Sequence, residues 1–97
     1  MTEAHTTALR RNRDVLVQKM DPTDVVNKLI SADILTSRDK GTILAGEIRE
    51  TKVERLLDAL ALKKDGAFYA FIKALNETGQ QSHAALFEGE HVYNNTI

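Results

Sequence analysis

The 97-residue sequence has no cysteine, one proline, five glycines and five aromatic residues. Without cysteine there is no disulfide, no thiolate metal site and no cysteine nucleophile. That absence fits a reducing compartment. One proline and scattered glycines are too few for a turn-rich β protein or a linker-rich chain. No apolar run approaches the 18 residues that a membrane helix needs. Residues 1–11 lack the apolar segment of a secretory signal. Net charge is only −1, so bulk electrostatics does not mark a nucleic-acid binder or a polybasic membrane clamp. What is present is ordinary globular composition, 42% hydrophobic and 28% charged. A chain of this size supports one small domain with one core.

Apolar residues recur at spacings of three, four and seven, which is helical periodicity. Six helices are predicted. The first runs from about Thr6 to Met20, with Leu9, Leu16 and Met20 on one stripe and Val15 and Val17 beside it. The polar run from Arg10 to Asp14 interrupts that stripe, so the reading is a bend or two half-helices. Asp21-Pro22 starts the second, because Asp21 accepts from free N–H groups and proline suits the first helical position. Val25, Val26, Leu29 and Ile30 are its core side. Thr36 or Ser37 caps the third, which carries Ile43 and Leu44 and is weakened at its end by Gly46. The fourth begins near Thr51 and repeats Val53, Leu56, Leu57 and Leu60. Asp65 caps the fifth, with Phe68, Phe71, Ile72 and Leu75, and Gly79 is its left-handed stop. A short sixth holds Ala84, Leu86 and Phe87 and closes at Gly89. Short connections suit a bundle whose centre is the fourth and fifth helices. Residues 1–89 are read as the domain, and 90–97 as a tail or the start of a linker.

Catalytic chemistry finds no support. His5, His83 and His91 form no i, i+4 ligand pair and are read as surface histidines. Ser31, Ser37 and Ser82 have no nucleophile-elbow context. Gly41 and Gly46 have the glycine spacing of a phosphate loop, but Glu47-Ile48 stands where Lys and Ser or Thr are required. No catalytic, metal or cofactor site is assigned.

The charges alternate along the chain. Residues 1–20 carry Arg10, Arg11, Arg13 and Lys19 against Glu3 and Asp14, a net +2. Residues 21–47 carry five acids against three bases, a net −2; residues 48–64 return to +2, and 65–97 to −3. Two readings stand. In one the charges form a solvated surface: acids near helix starts and bases near helix ends suit the helix dipole, and Glu50, Glu54 and Asp58 interleave with Lys52 and Arg55 as helical partners. In the other they form a two-faced docking module. Arg10, Arg11 and Arg13 are the hardest to explain blandly, since three arginines near a helix start oppose its dipole.

Three segments resemble the caspase recruitment domain (CARD) of the death-fold superfamily. They are Leu9-Arg10-Arg11-Asn12-Arg13 with Val15-Leu16-Val17, then Leu29 to Thr36, then Leu60 to Leu75 with Glu77-Thr78-Gly79 and Ala84 to Phe87. The likeness leans toward the CARDs of apoptotic protease-activating factors and initiator caspases. It implies an all-α, six-helix antiparallel bundle with a bent or broken first helix. It implies no catalysis and no cofactor, but homotypic binding to another CARD, of an initiator caspase, an activating factor or an adaptor. It implies a basic face on the first and fourth helices (Arg10, Arg11, Arg13, Arg49, Lys52, Arg55) meeting an acidic face on the second and third (Asp24, Asp33, Asp39, Glu47). Glu50 and Glu54 stand where caspase CARDs carry arginine; Asn27 and Lys40 stand where the activating factor has acids. Two other functions remain: the autoregulatory prodomain of a caspase zymogen, and a small helical nucleic-acid binder with Arg10 to Arg13 as its phosphate clamp.

Overall fold

The computed structural model describes residues 1–88. Within them lie α1 (Glu3–Arg11), α2 (Arg13–Lys19), α3 (Pro22–Ser31), α4 (Ser37–Leu44), α5 (Arg49–Ala61), α6 (Gly66–Glu77) and α7 (Gln81–Ala84), and a 3-10 turn at Ala85–Phe87. No strand occurs among the described residues. The predicted closure at Gly89 and the tail 90–97 lie outside them.

Among the described residues seven α-helices stand where the sequence predicts six helices, because Asn12 divides the first. Its side-chain amide donates to the Ala8 carbonyl at 2.9 Å. Its backbone sits at φ −103°, ψ 8°, off the helical track. The Ala8 carbonyl thus accepts from both the side chain and the backbone N–H of Asn12, the latter at 3.3 Å. α1 also begins at Glu3, earlier than the predicted Thr6. Thr2 is the cap, its hydroxyl accepting from the His5 N–H at 3.3 Å. The break changes the arginine argument. Arg10 and Arg11 lie in the last turn of α1, where the dipole favours cations, and only Arg13 opposes it at the start of α2.

Other helix starts follow their sequence signals. Asp21 accepts from the Thr23 N–H at 3.2 Å with Pro22 in the first turn. Thr36 and Asp39 form a reciprocal capping box at the head of α4. α5 begins at Arg49 rather than near Thr51. Asp65 does not cap α6: its own backbone is already helical, and its carboxylate is turned to the N-terminal segment. Gly79 takes φ +79° after α6, as a left-handed stop should.

α3 packs against α4, α5 and α6, and α5 packs against α2, α3 and α4. These two helices make the centre, whereas α6 flanks it against α3 and α7. The predicted stripes supply the core: Leu16 and Met20, Val25 and Leu29, Val53, Leu56, Leu57 and Leu60, Phe68, Phe71 and Leu75 are all buried. Phe87 closes one end edge-on to Phe68 and Phe71, at centroid separations of 5.5 and 6.2 Å. Gln80 bolts the α6–α7 turn to the head of α3. Its amide accepts from the Asp21 N–H at 2.9 Å and donates to the Asp21 carbonyl at 3.0 Å.

Candidate protein interface

α2 lies along α5, so residues 13–19 and 49–61 share one side of the bundle. Arg13 reaches across to Asp58 at 3.1 Å and to the Glu54 carbonyl at 3.4 Å. Arg10 and Arg13 line one shallow depression with Leu57, Asp58 and Ala61. Asp58 also lines the neighbouring depression, between α4 and α5, with Arg55. Three of the six indicated cations therefore sit around one aspartate: Arg10, Arg13 and Arg55. Arg55 additionally donates to the Thr42 carbonyl on α4 at 2.8 Å. Arg11 is exposed on the last turn of α1.

Arg49 stands apart from the other basic residues. Its guanidinium donates to the carbonyls of Val17 (2.9 Å), Met20 (3.0 Å) and Gln18, and contacts Glu50 at 3.1 Å. These are the unpartnered carbonyls at the end of α2 and just beyond it, so Arg49 serves as their cap from another helix. Lys52 lies one turn along α5 and one turn before Arg55, with its backbone nitrogen close to Gly46.

The four indicated acids separate into two pairs. Asp33 and Asp39 lie at the end of the molecule where the α3–α4 and α5–α6 connections meet. Asp33 lines a depression there with Ile34, Lys63 and Lys64. Asp39 binds the Lys63 ammonium at 2.8 Å, which, with the Thr36 N–H, holds its carboxyl below the ordinary aspartate value of 3.8. Asp24 and Glu47 belong to the other end. Asp24 is exposed in the first turn of α3, and Glu47 is exposed just before α5, whose first residue bonds to the carbonyl of Met20 ahead of α3.

Two features of this surface were not among the indicated residues. Leu62 is 86% exposed at the end of α5 and lines the α4–α5 depression with Ile43, Ala59 and Lys63. It falls outside the i, i+3, i+4 stripe that ends at Leu60, a visible signal that it does not face the core. His5, read as a surface histidine, is instead 3% exposed. Its ring lies parallel to Phe68 at 4.0 Å and edge-on to Tyr69 at 5.0 Å, and Nδ1 contacts the Asp65 carboxylate. The Thr2 N–H at 3.0 Å, and then His5, hold the Asp65 carboxyl below its ordinary value. A single histidine among polar residues shows no period, so the sequence offered no sign of this burial.

The sequence model of one family, described as the caspase recruitment domain, matches residues 6–90. The chain belongs to the caspase recruitment domain family. A comparison with curated proteins returns no match. A CARD is a non-catalytic protein–protein interaction module of apoptotic and related signalling, and CARDs bind one another homotypically. Among its described residues no three histidine, aspartate or glutamate side chains gather as a metal site. Among them, too, no helix is long and apolar enough to cross a membrane.

Proposed function

We propose that this CARD is an adaptor module in the cytoplasm that recruits or clusters caspases, or their adaptors, in apoptotic signalling. Its basic corner is Arg10, Arg11 and Arg13 at the α1–α2 junction with Arg55 beyond Asp58. This corner docks on acidic residues of a second CARD, as the Asp33 and Asp39 pair of this chain receives the corner of another; Asp24 and Glu47, at the other end, lie outside that one contact. The observation that carries the reading is the packing of α2 on α5, which brings Arg13, with Arg10 of the adjoining α1, and Arg55 around Asp58 from two distant stretches of sequence. The acids on that ridge, Glu54 and Asp58, suit a protein surface of mixed sign better than a phosphate backbone.

Each molecule offers both faces, so the contact is heterologous and propagates into rings or stacks rather than closing as a dimer. Holding attached zymogens side by side raises their effective concentration, which supports activation without a new active site. The same contacts would serve the prodomain of a caspase zymogen. Of the two other cations indicated with the basic face, Arg49 is engaged in capping α2, while Lys52, one turn before Arg55 on the same side of α5, can extend the corner.

The test is binding to a panel of purified initiator-caspase and activating-factor CARDs. Arg13→Glu and Arg55→Glu are each expected to weaken binding to the partner by at least about tenfold. The Arg13–Asp58 pair is solvent-exposed, so its loss lowers stability by no more than about 1 kcal/mol. Binding that survives both reversals overturns the face.

A further inference from the structure

α1 has nine residues, too short to hold itself helical in water, where isolated helices below about 12–15 residues are marginal. It buries only His5, Ala8 and Leu9. Asn12 departs from helical dihedrals between α1 and α2, although its own N–H still bonds the Ala8 carbonyl, at 3.3 Å. What fastens its first turn is a clasp on the α5–α6 connection and α6. The His5 ring is stacked on Phe68, its Nδ1 meets Asp65, and the Thr2 N–H donates to the same carboxylate at 3.0 Å.

The two arginines flanking the break are held differently. Arg13 is bonded to α5 through Asp58 and the Glu54 carbonyl. Among the described residues Arg10 bonds to the Thr7 hydroxyl of its own helix, at 3.4 Å, so its place in space follows α1. We infer that His5 is a positioning residue, whose clasp keeps α1 folded and so preorganises Arg10 for a carboxylate of the partner CARD; this rests on the docking reading above. His5 itself does not touch the partner. Released from the clasp, α1 frays and Arg10 must be ordered again on binding, a loss of about two- to tenfold in affinity.

The experiment is 15N relaxation on the free chain, paired with a double-mutant cycle on binding. In the wild type, amides of residues 3–11 are expected at order parameters of about 0.85, like the rest of the bundle. His5→Ala is expected to bring them, Arg10 included, below about 0.6 while residues 13–19 and 49–61 stay rigid. Asp65→Asn keeps the ring stack and gives an intermediate loss, which covers the case that His5→Ala fails to fold. In the binding arm, measured on the CARD of the panel that binds, His5→Ala weakens affinity about two- to tenfold. That loss disappears in an Arg10→Glu background and persists in an Arg55→Glu background. An Arg10 amide as rigid in both variants as in wild type overturns the inference, as does an equal loss in both backgrounds or uniform loosening of the bundle. Wild-type affinity for Arg10→Glu alone is a different failure: it removes Arg10 from the docking face, and with it the purpose of the clasp.

Discussion

At the scale of single residues, two side chains show how local surroundings decide a role. Asp33 sits at φ +62°, the left-handed region, with its carboxylate exposed. An L-residue there costs roughly 1–2 kcal/mol against glycine, less for aspartate when its side chain bonds locally. Asp33→Gly is therefore expected to stabilise the fold by up to about 1 kcal/mol, raising the melting temperature by about 4–8 °C in a scanning calorimeter. If the docking reading holds, the same variant weakens partner binding, so stability and affinity move in opposite directions. Asp39 and Asp65 govern the acid limb. Both carboxyls are held below 3.8 in the fold, Asp39 chiefly by Lys63 and Asp65 chiefly by the Thr2 N–H. A depressed carboxyl adds stability that is complete above its unfolded value and is lost as pH falls through its folded value. Denaturation followed by circular dichroism is expected to show that contribution intact at neutral pH and fading below about pH 4. Asp39→Asn should flatten that slope. His5 marks the limit of reading residues one at a time. Its burial depends on a ring 63 positions away in the chain, a pairing that no spacing rule reports.

At the scale of elements, much was legible, because helices announce themselves through period and caps. The stripes of α3, α5 and α6 became the core, and the Asp21-Pro22 start, the Thr36 cap and the Gly79 stop stand where their chemistry demands. What was not legible came from tertiary contacts. Asp65 resembles a cap but spends its carboxylate on the N-terminal segment, and Arg49 resembles a surface cation but plugs the end of α2. The split at Asn12 depended on one amide bonding back to Ala8, which a pattern of polar residues only hints at. The candidate faces were half legible for the same reason. Charge counts gave the sign of each helix, while packing decided which charges are already engaged. Arg49→Ala removes bonds to the carbonyls of Val17, Gln18 and Met20, and is expected to cost about 2 kcal/mol by urea titration, in line with hydrogen bonds to charged groups. Lys52→Glu changes charge by the same sign near the head of α5, where the dipole favours an acid. It should leave the urea midpoint within about 0.5 kcal/mol of wild type. The contrast separates a cation that holds the fold from one that does not.

At the scale of the whole molecule, the consequence of the two unlike faces proposed above is a rule for mixtures. A copy bearing Arg13→Glu keeps its acidic face; a copy bearing Asp39→Lys keeps its basic corner. Neither is expected to assemble alone, yet the two together should form a finite one-to-one pair by analytical ultracentrifugation, with no growth beyond it. Larger species from the mixture would refute a heterologous contact of this kind. The α5 ridge adds a kinetic side. Glu54 and Asp58 stand between Arg13 and Arg55, and the chain as a whole carries −1. At a distance of one screening length, about 8 Å in physiological salt, these opposite signs largely cancel. An approaching partner feels little pull until the surfaces nearly touch, so encounter should run near the unsteered 10⁵–10⁶ M⁻¹s⁻¹ and change little with salt. Selectivity would then lie in how long a matched pair lingers, making this a surface that tests its visitors after arrival rather than summoning them.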